Sequence, residues 1–222
     1  MLPVTKGQPG KMVAALLKLH VWAIAENRVQ EARKKWPEIE AALGPDWKLT
    51  ERHMVGTLQT NKAKEAVELF DWIQSVDRLK LAEELQAAAQ AANRTVNITL
   101  QVKYGNEPSK QGMTEEVLLR DFLEYTKFPN LRLRGLMMIA PLTEDRRVTR
   151  MYFRRLKQLF ESVRLQAARA RAQWDTLSMG MSDDFEIAIE EGATMVRIGR
   201  LIFDNVPEDV EEPKIQLDIL DE

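Results

Sequence analysis

Polar residues that could form a covalent bond and hold an anion lie near both ends of the chain. The Lys6 amine can form an imine with an aldehyde when desolvation lowers its pKa, although a lysine so near a terminus is more often a solvated surface charge. Towards the other end, Ser178 offers a hydroxyl, Arg197 a guanidinium, and Gly199 with Arg200 a place where backbone amides can approach a phosphate. By residue type alone, Gly199 could equally well only turn the chain.

The chemistry of these residues depends on the elements that carry them, and the hydrophobic pattern alternates between strand-like and helical segments. About eight short apolar runs predict strands, at residues 4–6, 21–25, 52–56, 72–76, 96–102, 131–139, 177–180 and 195–198. Nearly continuous apolar strands separated by helices are typical of a parallel sheet buried on both sides. Eight such units in a chain of this length favour a closed (β/α)8 barrel of the TIM type over an open sheet.

Three helix boundaries follow from local signals. The stripe that begins at Val29 predicts a helix that stops at Gly44 and Pro45. Asp77 is expected to be the N-cap of an Ala-rich helix. A single long amphipathic helix is predicted over residues 145–174.

The barrel prediction brings the polar residues to one place, because barrel sites lie at the carboxyl ends of the strands. Lys6 ends the first predicted strand, Asn27 follows the second, Ser178 lies in the seventh and Gly199 follows the eighth. Barrels often bind phosphate at the loops after strands seven and eight. The sequence therefore predicts a rim of polar side chains with an anion site at its last two loops.

Composition excludes several classes of function. The 222 residues contain no cysteine and only two histidines, so disulfides, thiol nucleophiles and a structural zinc site are not expected. The formal net charge of −2 disfavours generic nucleic-acid binding. No apolar run is long enough to span a bilayer, and no signal region follows the first residues, which predicts a cytoplasmic protein without membrane contact.

The composition changes after Asp204. Residues 205–222 carry seven acidic side chains, Glu208, Asp209, Glu211, Glu212, Asp218, Asp221 and Glu222. We therefore predict a barrel domain over residues 1–204 and a solvated acidic tail over residues 205–222.

Two further residue sets carry weaker signals. His53 could be a ligand, but a hydrogen-bonded structural histidine is the more common case. Asp183 and Asp184 could act as a pair of general bases, whereas capping of a helix start is the more common role for such residues.

Several motifs together resemble the pyridoxal 5′-phosphate (PLP) homeostasis proteins, the YggS/PROSC-like family related to the barrel domain of alanine racemase. The motifs are Val-Thr-Lys at 4–6, Glu-Asn-Arg-Val-Gln-Glu at 26–31, Gly-Thr-Leu-Gln-Thr-Asn-Lys at 56–62, Ser-Met-Gly-Met-Ser-Asp-Asp-Phe at 178–185 and the segment from Gly192 to Gly199. The shorter segments 75–77, 105–112 and 134–137 match as well. The resemblance covers residues 4–203, and the 178–184 block with the Arg-Ile-Gly block is highly specific.

The resemblance implies a role for each candidate residue. Lys6 matches the lysine that forms the internal imine with PLP, and Asn27 matches a residue that lines the pocket. Ser178 and the segment Gly199–Arg200 match the phosphate cradle, and Arg197 matches the arginine that faces the pyridine nitrogen. A guanidinium only donates hydrogen bonds, so the ring nitrogen stays unprotonated and PLP becomes a poorer electron sink.

The chain departs from the family pattern at four places. The family normally has a helix before the first strand, whereas Lys6 lies almost at the start of this chain. Ala25 replaces a glycine, Lys103 stands where the family has asparagine, and Arg200 stands where many members have serine or threonine. Lys103 could therefore place a second amine at the rim.

Three functional hypotheses remain open at this stage. The first is a monomeric carrier that holds PLP on Lys6 without catalysis and passes it to PLP-dependent apo-enzymes. The second is a weak PLP-dependent amino-acid racemase, which needs an acid or base opposite Lys6, with Lys103, Tyr104 and His53 as the candidates. The third is an interaction protein that uses bound PLP only as a structural ligand or as a sensor, and the acidic tail is its sole support in the sequence.

Overall fold

The computed structural model describes residues 1–105 and 111–204, and this part of the chain contains eight strands. They are β1 (Leu2–Pro3), β2 (Ala23–Glu26), β3 (Glu51–Met54), β4 (Trp72–Val76), β5 (Val96–Val102), β6 (Leu131–Met138), β7 (Thr176–Ser178) and β8 (Arg197–Ile198). All of their pairings are parallel.

Helices separate the strands along the chain. They are α1 (Gly10–Lys18), α2 (Val29–Leu43), α3 (Ala63–Leu69), α4 (Leu79–Ala91), α5 (Glu115–Tyr125), α6 (Arg146–Ser162), α7 (Arg164–Arg169), α8 (Phe185–Glu190) and α9 (Arg200–Phe203). Two 3-10 segments, Gly44–Leu49 and Thr60–Lys62, precede β3 and α3. None of the helices in the described ranges is long and apolar enough to cross a membrane.

The eight strands close into a ring. Strands β2 to β7 form one sheet in sequence order, and β1 pairs with β8. Single bridges join the two sheets, between Val4 and Ala25 on one side and between Ser178 and Met195 on the other. The expectation of a closed parallel barrel is therefore confirmed.

The first strand is displaced from its predicted position at residues 4–6, because its regular part is Leu2–Pro3. The Leu2 amide donates to the carbonyl of Val196, just before β8, and the Val4 amide donates to the carbonyl of Ile198 in β8. The Thr5 amide donates to the carbonyl of Ala25 in β2. Proline has no amide hydrogen, so Pro3 removes only one donor, on the side that faces β2. The bonds on either side of it hold the strand in the barrel.

The main hydrophobic core lies between the strands and the surrounding helices. Alternate strand residues such as Ile24, Ile73 and Ile98 pack there with helix residues such as Val13 and Trp36. Inside the barrel, a small apolar cluster of Leu2, Ala25 and Val55 lies beside buried polar side chains. The interior thus contains hydrogen-bonded polar side chains as well as apolar ones, whereas bulky apolar residues dominate most barrel centres.

The predicted long helix over residues 145–174 is wrong in its second half. The helix breaks after Ser162, and its continuation α7 ends at Arg169. The Ser162 hydroxyl donates to the Leu159 carbonyl over 2.8 Å, and the Trp174 indole donates to the Phe160 carbonyl over 2.9 Å. These side chains donate hydrogen bonds to backbone carbonyls near the end of the helix, and the chain then folds back towards β7.

The helix that follows β4 also begins later than predicted. Arg78 is the residue that precedes its first turn, and the Asp77 carboxylate accepts a hydrogen bond from the Arg78 guanidinium instead of capping the helix. By contrast, α2 ends at Leu43 just before Gly44, as the sequence predicts.

Candidate cofactor-binding site

The predicted rim residues lie at one opening of the barrel. Lys6 follows β1 within a turn, Asn27 follows β2, Lys103 follows β5 and Gly199 follows β8. Because all the strands are parallel, their carboxyl ends meet at the same opening. Residues 106–110, which belong to the motif at 105–112, and the predicted acidic tail at 205–222 lie outside the described residues.

Lys6 is exposed at this mouth, and the residue before it is firmly anchored. The Thr5 hydroxyl donates to Glu26 Oε1 over 2.5 Å, and the Thr5 amide donates to the Ala25 carbonyl. Thr5 and Glu26 are fully buried. The backbone that presents Lys6 is therefore fixed from the side of the strands that faces the helices.

Lys35 completes this anchor, and sequence reasoning missed it. Its ammonium donates to the Thr5 carbonyl and to Glu26 Oε1, each over 2.6 Å. The Lys35 side chain is 11% exposed and the Glu26 side chain is 0% exposed. A lysine directly before Trp36, a member of the buried stripe of α2, is the signal that could have indicated a buried ion pair.

Asn27 lies at the mouth under a tight backbone contact. It is partly exposed, and a Cβ on Gly56 would come within 2.1 Å of the Asn27 carbonyl oxygen. Only glycine permits that approach between the ends of β2 and β3. The position of Asn27 agrees with the pocket-lining role that was predicted for it, and the role itself stays a prediction.

Ser178 and Arg197 meet inside the barrel. Arg197 Nη1 donates to Ser178 Oγ over 2.7 Å, and Nη2 donates to the Met138 carbonyl over 2.8 Å. The Ser178 hydroxyl in turn donates to Gln74 Oε1 over 2.6 Å. Ser178 is 0% exposed, so its hydroxyl lies below the mouth, and the phosphate contact expected of it stays a prediction.

Gln74 lies in the middle of this network, and the sequence analysis did not identify it. Its Nε2 lies 3.0 Å from His53 Nδ1 and donates to the Met195 sulfur over 3.1 Å. A glutamine inside the apolar run 72–76 is the one available signal, because a buried strand has room for such a side chain only where partners exist.

Arg197 is a buried cation without a carboxylate against it. Burial lowers the pKa of the Arg197 guanidinium to about 10, and the charge of the Asp184 carboxylate opposes that shift. Within residues 1–105 and 111–204, no acidic group lies within ion-pair distance of Arg197. The guanidinium stays protonated at neutral pH and has N–H groups beyond the two already engaged.

The segment Gly199–Arg200 lies beside the loop that follows β7. The Arg200 guanidinium forms an exposed ion pair with Asp183. Gly199 precedes the first turn of α9, and a Cβ at this position would lie 3.2 Å from the Val4 carbonyl oxygen. The first amides of a helix have no partner within it, so this glycine leaves N–H groups accessible to an anion.

The two aspartates of the 183–184 pair have separate roles. Asp184 is the residue before α8, and its carboxylate accepts from the Met181 amide over 2.6 Å rather than from the first turn of the helix. Burial raises the pKa of Asp184. Asp183 faces solvent and pairs with Arg200, so the two side chains do not form a paired general base.

The structure separates two of the three acid–base candidates from the mouth. The Tyr104 hydroxyl donates to Glu115 Oε1 of α5 over 2.6 Å, and its ring stacks on Tyr152 of α6. Burial and this carboxylate raise the pKa of Tyr104. His53 is fully buried in the barrel and stacks on Trp72. Lys103 alone lies at the mouth.

The chain matches a known domain family over nearly its whole length. Residues 2–207 match the family described as alanine racemase, N-terminal domain. A pyridoxal phosphate homeostasis protein of Pseudomonas aeruginosa is 40% identical over 203 residues, which cover 91% of this chain and 83% of that protein. A protein of the same name from Aquifex aeolicus is 38% identical, with coverage of 91% and 85%.

Solved structures agree with the sequence matches. PipY of Synechococcus elongatus without PLP superposes with a TM-score of 0.85 at 36% identity, covering 91% of this chain and 92% of that one. PipY with PLP bound gives a TM-score of 0.82 at 35% identity, with the same coverage. Alanine racemase of Clostridium difficile, at 17% identity and a TM-score of 0.65, covers 94% of this chain and 55% of its own and shares the fold. The chain therefore belongs to the alanine racemase N-terminal domain family and, within it, to the group of the pyridoxal phosphate homeostasis proteins.

Proposed function

We propose that this protein binds PLP at the mouth of its barrel, holds it on Lys6 and passes it on without catalysis. The observation that carries the proposal is the environment of Arg197. A buried guanidinium that contacts only neutral acceptors has spare N–H donors, and a pyridine nitrogen is a neutral acceptor that suits them. The PLP-bound structure of PipY and the names of the curated relatives support the same ligand.

The other mouth residues fit the remaining groups of the cofactor. Lys6 supplies the amine that condenses with the aldehyde to a C=N bond with loss of water. The anchor of Thr5, Glu26 and Lys35 holds the backbone from which that amine extends. Asn27 lies on the next strand end, where it would line one side of the ring.

The phosphate fits the loops after β7 and β8. Gly199 leaves the first amides of α9 open, and Arg200 adds a positive charge there. Ser178 would act on this site through Arg197, because its hydroxyl already accepts from that guanidinium and donates to Gln74. Ser182 is partly exposed and stands next to Asp183, the partner of Arg200, so we propose its hydroxyl as the direct donor.

The arrangement favours holding PLP over using it. When bound, PLP stabilises negative charge on carbon, and it does so less well with an unprotonated ring nitrogen. Arg197 would donate a hydrogen bond to that nitrogen and would not readily protonate it. The Tyr104 hydroxyl is bonded to Glu115, and the His53 ring is buried beside Trp72, so of the acid–base candidates only Lys103 remains near the mouth.

The decisive experiment is borohydride reduction of the protein loaded with PLP, followed by peptide mass spectrometry. We expect a covalent adduct on Lys6 that is lost in Lys6→Ala and retained in Lys103→Ala. An adduct on Lys103 in the native chain, or none at all, would contradict the proposal. Incubation with L-alanine separates the carrier from the racemase, because sustained formation of D-alanine would support the enzyme.

The domain boundary, the oligomeric state and the partners extend the same proposal. We propose that residues 1–204 are the PLP-binding domain of a cytoplasmic monomer that delivers PLP to apo-enzymes. A chain truncated after Asp204 should bind PLP with unchanged affinity, while sedimentation should report one chain per particle. Transfer is measured by the recovery of activity of an apo-enzyme that is mixed with the loaded protein.

A further inference from the structure

A chain of side-chain hydrogen bonds crosses the barrel interior from β8 to β3. Arg197 contacts Ser178, Ser178 contacts Gln74 and Gln74 contacts His53, with donor–acceptor distances of 2.7, 2.6 and 3.0 Å. All four residues are at most 4% exposed. Strand β4, which carries Gln74, is not adjacent to β7 or β8, so its side chain reaches across the interior.

Only one arrangement of hydrogens satisfies this chain. A guanidinium can only donate, so Ser178 accepts from Arg197 and uses its own proton for Gln74 Oε1. The amide nitrogen then faces His53, and Nδ1 of that ring must accept. The remaining ring proton lies on Nε2, which is 3.5 Å from a carboxylate oxygen of Glu51.

We infer that Gln74 is a positioning residue for the PLP site. Through Ser178 it fixes one arm of the Arg197 guanidinium, while the Met138 carbonyl fixes the other. His53 in turn fixes the orientation of the Gln74 amide. The inference rests on the proposed function, because the group that Arg197 would meet at the mouth is the ring nitrogen of PLP.

A glutamine that merely fills space would behave differently. Loss of a space-filling residue changes the stability of the protein and leaves the ligand affinity of the folded molecules unchanged. Loss of a positioning residue leaves the Ser178 proton and His53 Nδ1 without partners, so the guanidinium is no longer held in one orientation. Ligand affinity and the protonation pattern of His53 therefore separate the two roles.

The test uses the full chain with Gln74→Leu, Gln74→Glu and the matched control Gln101→Leu. Gln101 is a buried glutamine on β5, 4% exposed against 0% for Gln74, and it donates to the Gln111 carbonyl rather than to a member of the hydrogen-bond chain from Arg197 to His53. The first measurement needs no PLP: nitrogen–proton correlation spectra of the two histidine rings. We expect His53 with its proton on Nε2 in the native and Gln101→Leu proteins, and a changed His53 signal in Gln74→Leu.

The second measurement is a PLP titration followed by the absorbance of the Lys6 linkage. Gln74→Leu should weaken PLP binding about tenfold, as expected for the loss of one buried hydrogen bond. Gln74→Glu should restore the affinity, because its carboxylate still accepts from Ser178. The carboxylate cannot donate to His53, so in this variant the ring should carry protons on both nitrogens at neutral pH.

Each outcome bears on one proposal. Native PLP affinity in Gln74→Leu would overturn the inference, whatever the His53 signal, and so would an unchanged His53 signal. Should Gln74→Leu not fold, Gln74→Glu decides, and a His53 signal identical to the native one would overturn it. If the native protein forms no linkage on Lys6, the proposed function fails, and the histidine spectra still test the chain: a mixture of tautomers in the native protein refutes it.

Discussion

At the scale of single residues, Arg197 is held by neutral partners in a place where charge is costly. Burial of an unpaired charge is unfavourable, and the hydrogen bonds to Ser178 and Met138 offset only part of that cost. The pKa of about 10 leaves the group protonated at neutral pH. A ligand that accepts a hydrogen bond from the guanidinium offsets more of this cost, and the gain contributes to the free energy of ligand binding.

Arg197→Lys should lower both the affinity for PLP and the stability of the folded protein. A lysine cannot reach Ser178 and Met138 with the same fork geometry, so at least one hydrogen bond is lost. We expect about tenfold weaker PLP binding and a loss of about 1–3 kcal/mol in the free energy of unfolding, by titration and urea denaturation. Arg132→Lys, on the exposed face of β6, is the control and should change neither quantity.

His53 should make the stability dependent on pH. Burial lowers its pKa in the folded state below the ordinary value near 6.5, so protons bind the unfolded chain more readily. The stabilisation is complete above pH 6.5 and is lost as pH falls from there through the lower folded pKa. The limiting slope is about 1.4 kcal/mol per pH unit, measurable by urea denaturation between pH 7.5 and 5, a range set by the ordinary pKa.

His53→Gln should flatten this part of the stability profile, and His20→Gln should leave it unchanged. His20 is exposed and is the second histidine of the chain, so it is the natural control. The same slope in all three proteins would mean that other groups cause the pH dependence.

The sequence predicts the residues at the mouth of the barrel better than the residues in its interior. Lys6, Asn27 and Gly199 follow strands, so strand prediction alone brings them to one rim. Gln74 and His53 lie within the predicted strands, and Gln74 joins His53 on the neighbouring strand to Ser178, which is 104 residues away along the chain. Linear spacing carries no information on which side chains meet inside a closed sheet.

At the scale of elements, the position of β1 depends more on side-chain contacts than on the backbone hydrogen bonds to its neighbouring strands. It has two residues, one of them proline, and Lys35 and Glu26 form hydrogen bonds with Thr5, the second residue after the strand. The Glu26 Oε2 atom is buried and has no partner among the described residues. The Lys35 ammonium is therefore the main compensation for this buried carboxylate.

Lys35→Met should strongly destabilise the protein. It removes the cation and leaves the Glu26 carboxylate buried, a change that typically costs about 3–5 kcal/mol. Lys34→Met, on the exposed side of the same helix, should cost under about 0.5 kcal/mol. Urea denaturation of both variants gives the comparison, and equal stabilities would show that the ion pair does not anchor β1.

Strand and helix types were predictable, whereas boundaries that depend on tertiary contacts were not. Strands β4 and β5 match their predicted bounds because their apolar runs are unambiguous. The end of α6 depends on Trp174, whose indole reaches back to the Phe160 carbonyl after the turn. A helical stripe cannot reveal such a contact, because it forms only once the strand β7 is in place.

At the scale of the whole molecule, the closed barrel couples the PLP site to global stability. The first and last strands pair with each other, so the residues of the mouth come from both ends of one cooperative unit. A ligand that binds only the closed ring therefore stabilises the whole unit against unfolding.

PLP should therefore raise the melting temperature of the protein. At a PLP concentration 100 times the Kd, the stabilisation is about 2.7 kcal/mol, which corresponds to roughly 5–10 °C for a chain of this size. Differential scanning fluorimetry of the native chain and of Lys6→Ala measures the effect. The variant should show a smaller shift at the same PLP concentration, and an equal shift would indicate that Lys6 adds nothing to binding.

The filled interior of the barrel also decides how PLP travels. His53, Trp72 and Gln74 occupy the space beneath Arg197, and all three are at most 4% exposed. These side chains close the barrel below the proposed site. PLP bound at the mouth would therefore enter and leave through the same opening. A recipient enzyme that takes PLP directly must approach the face that carries Lys6. While this enzyme is bound, it would block the mouth, so a second PLP molecule could bind only after the enzyme has dissociated.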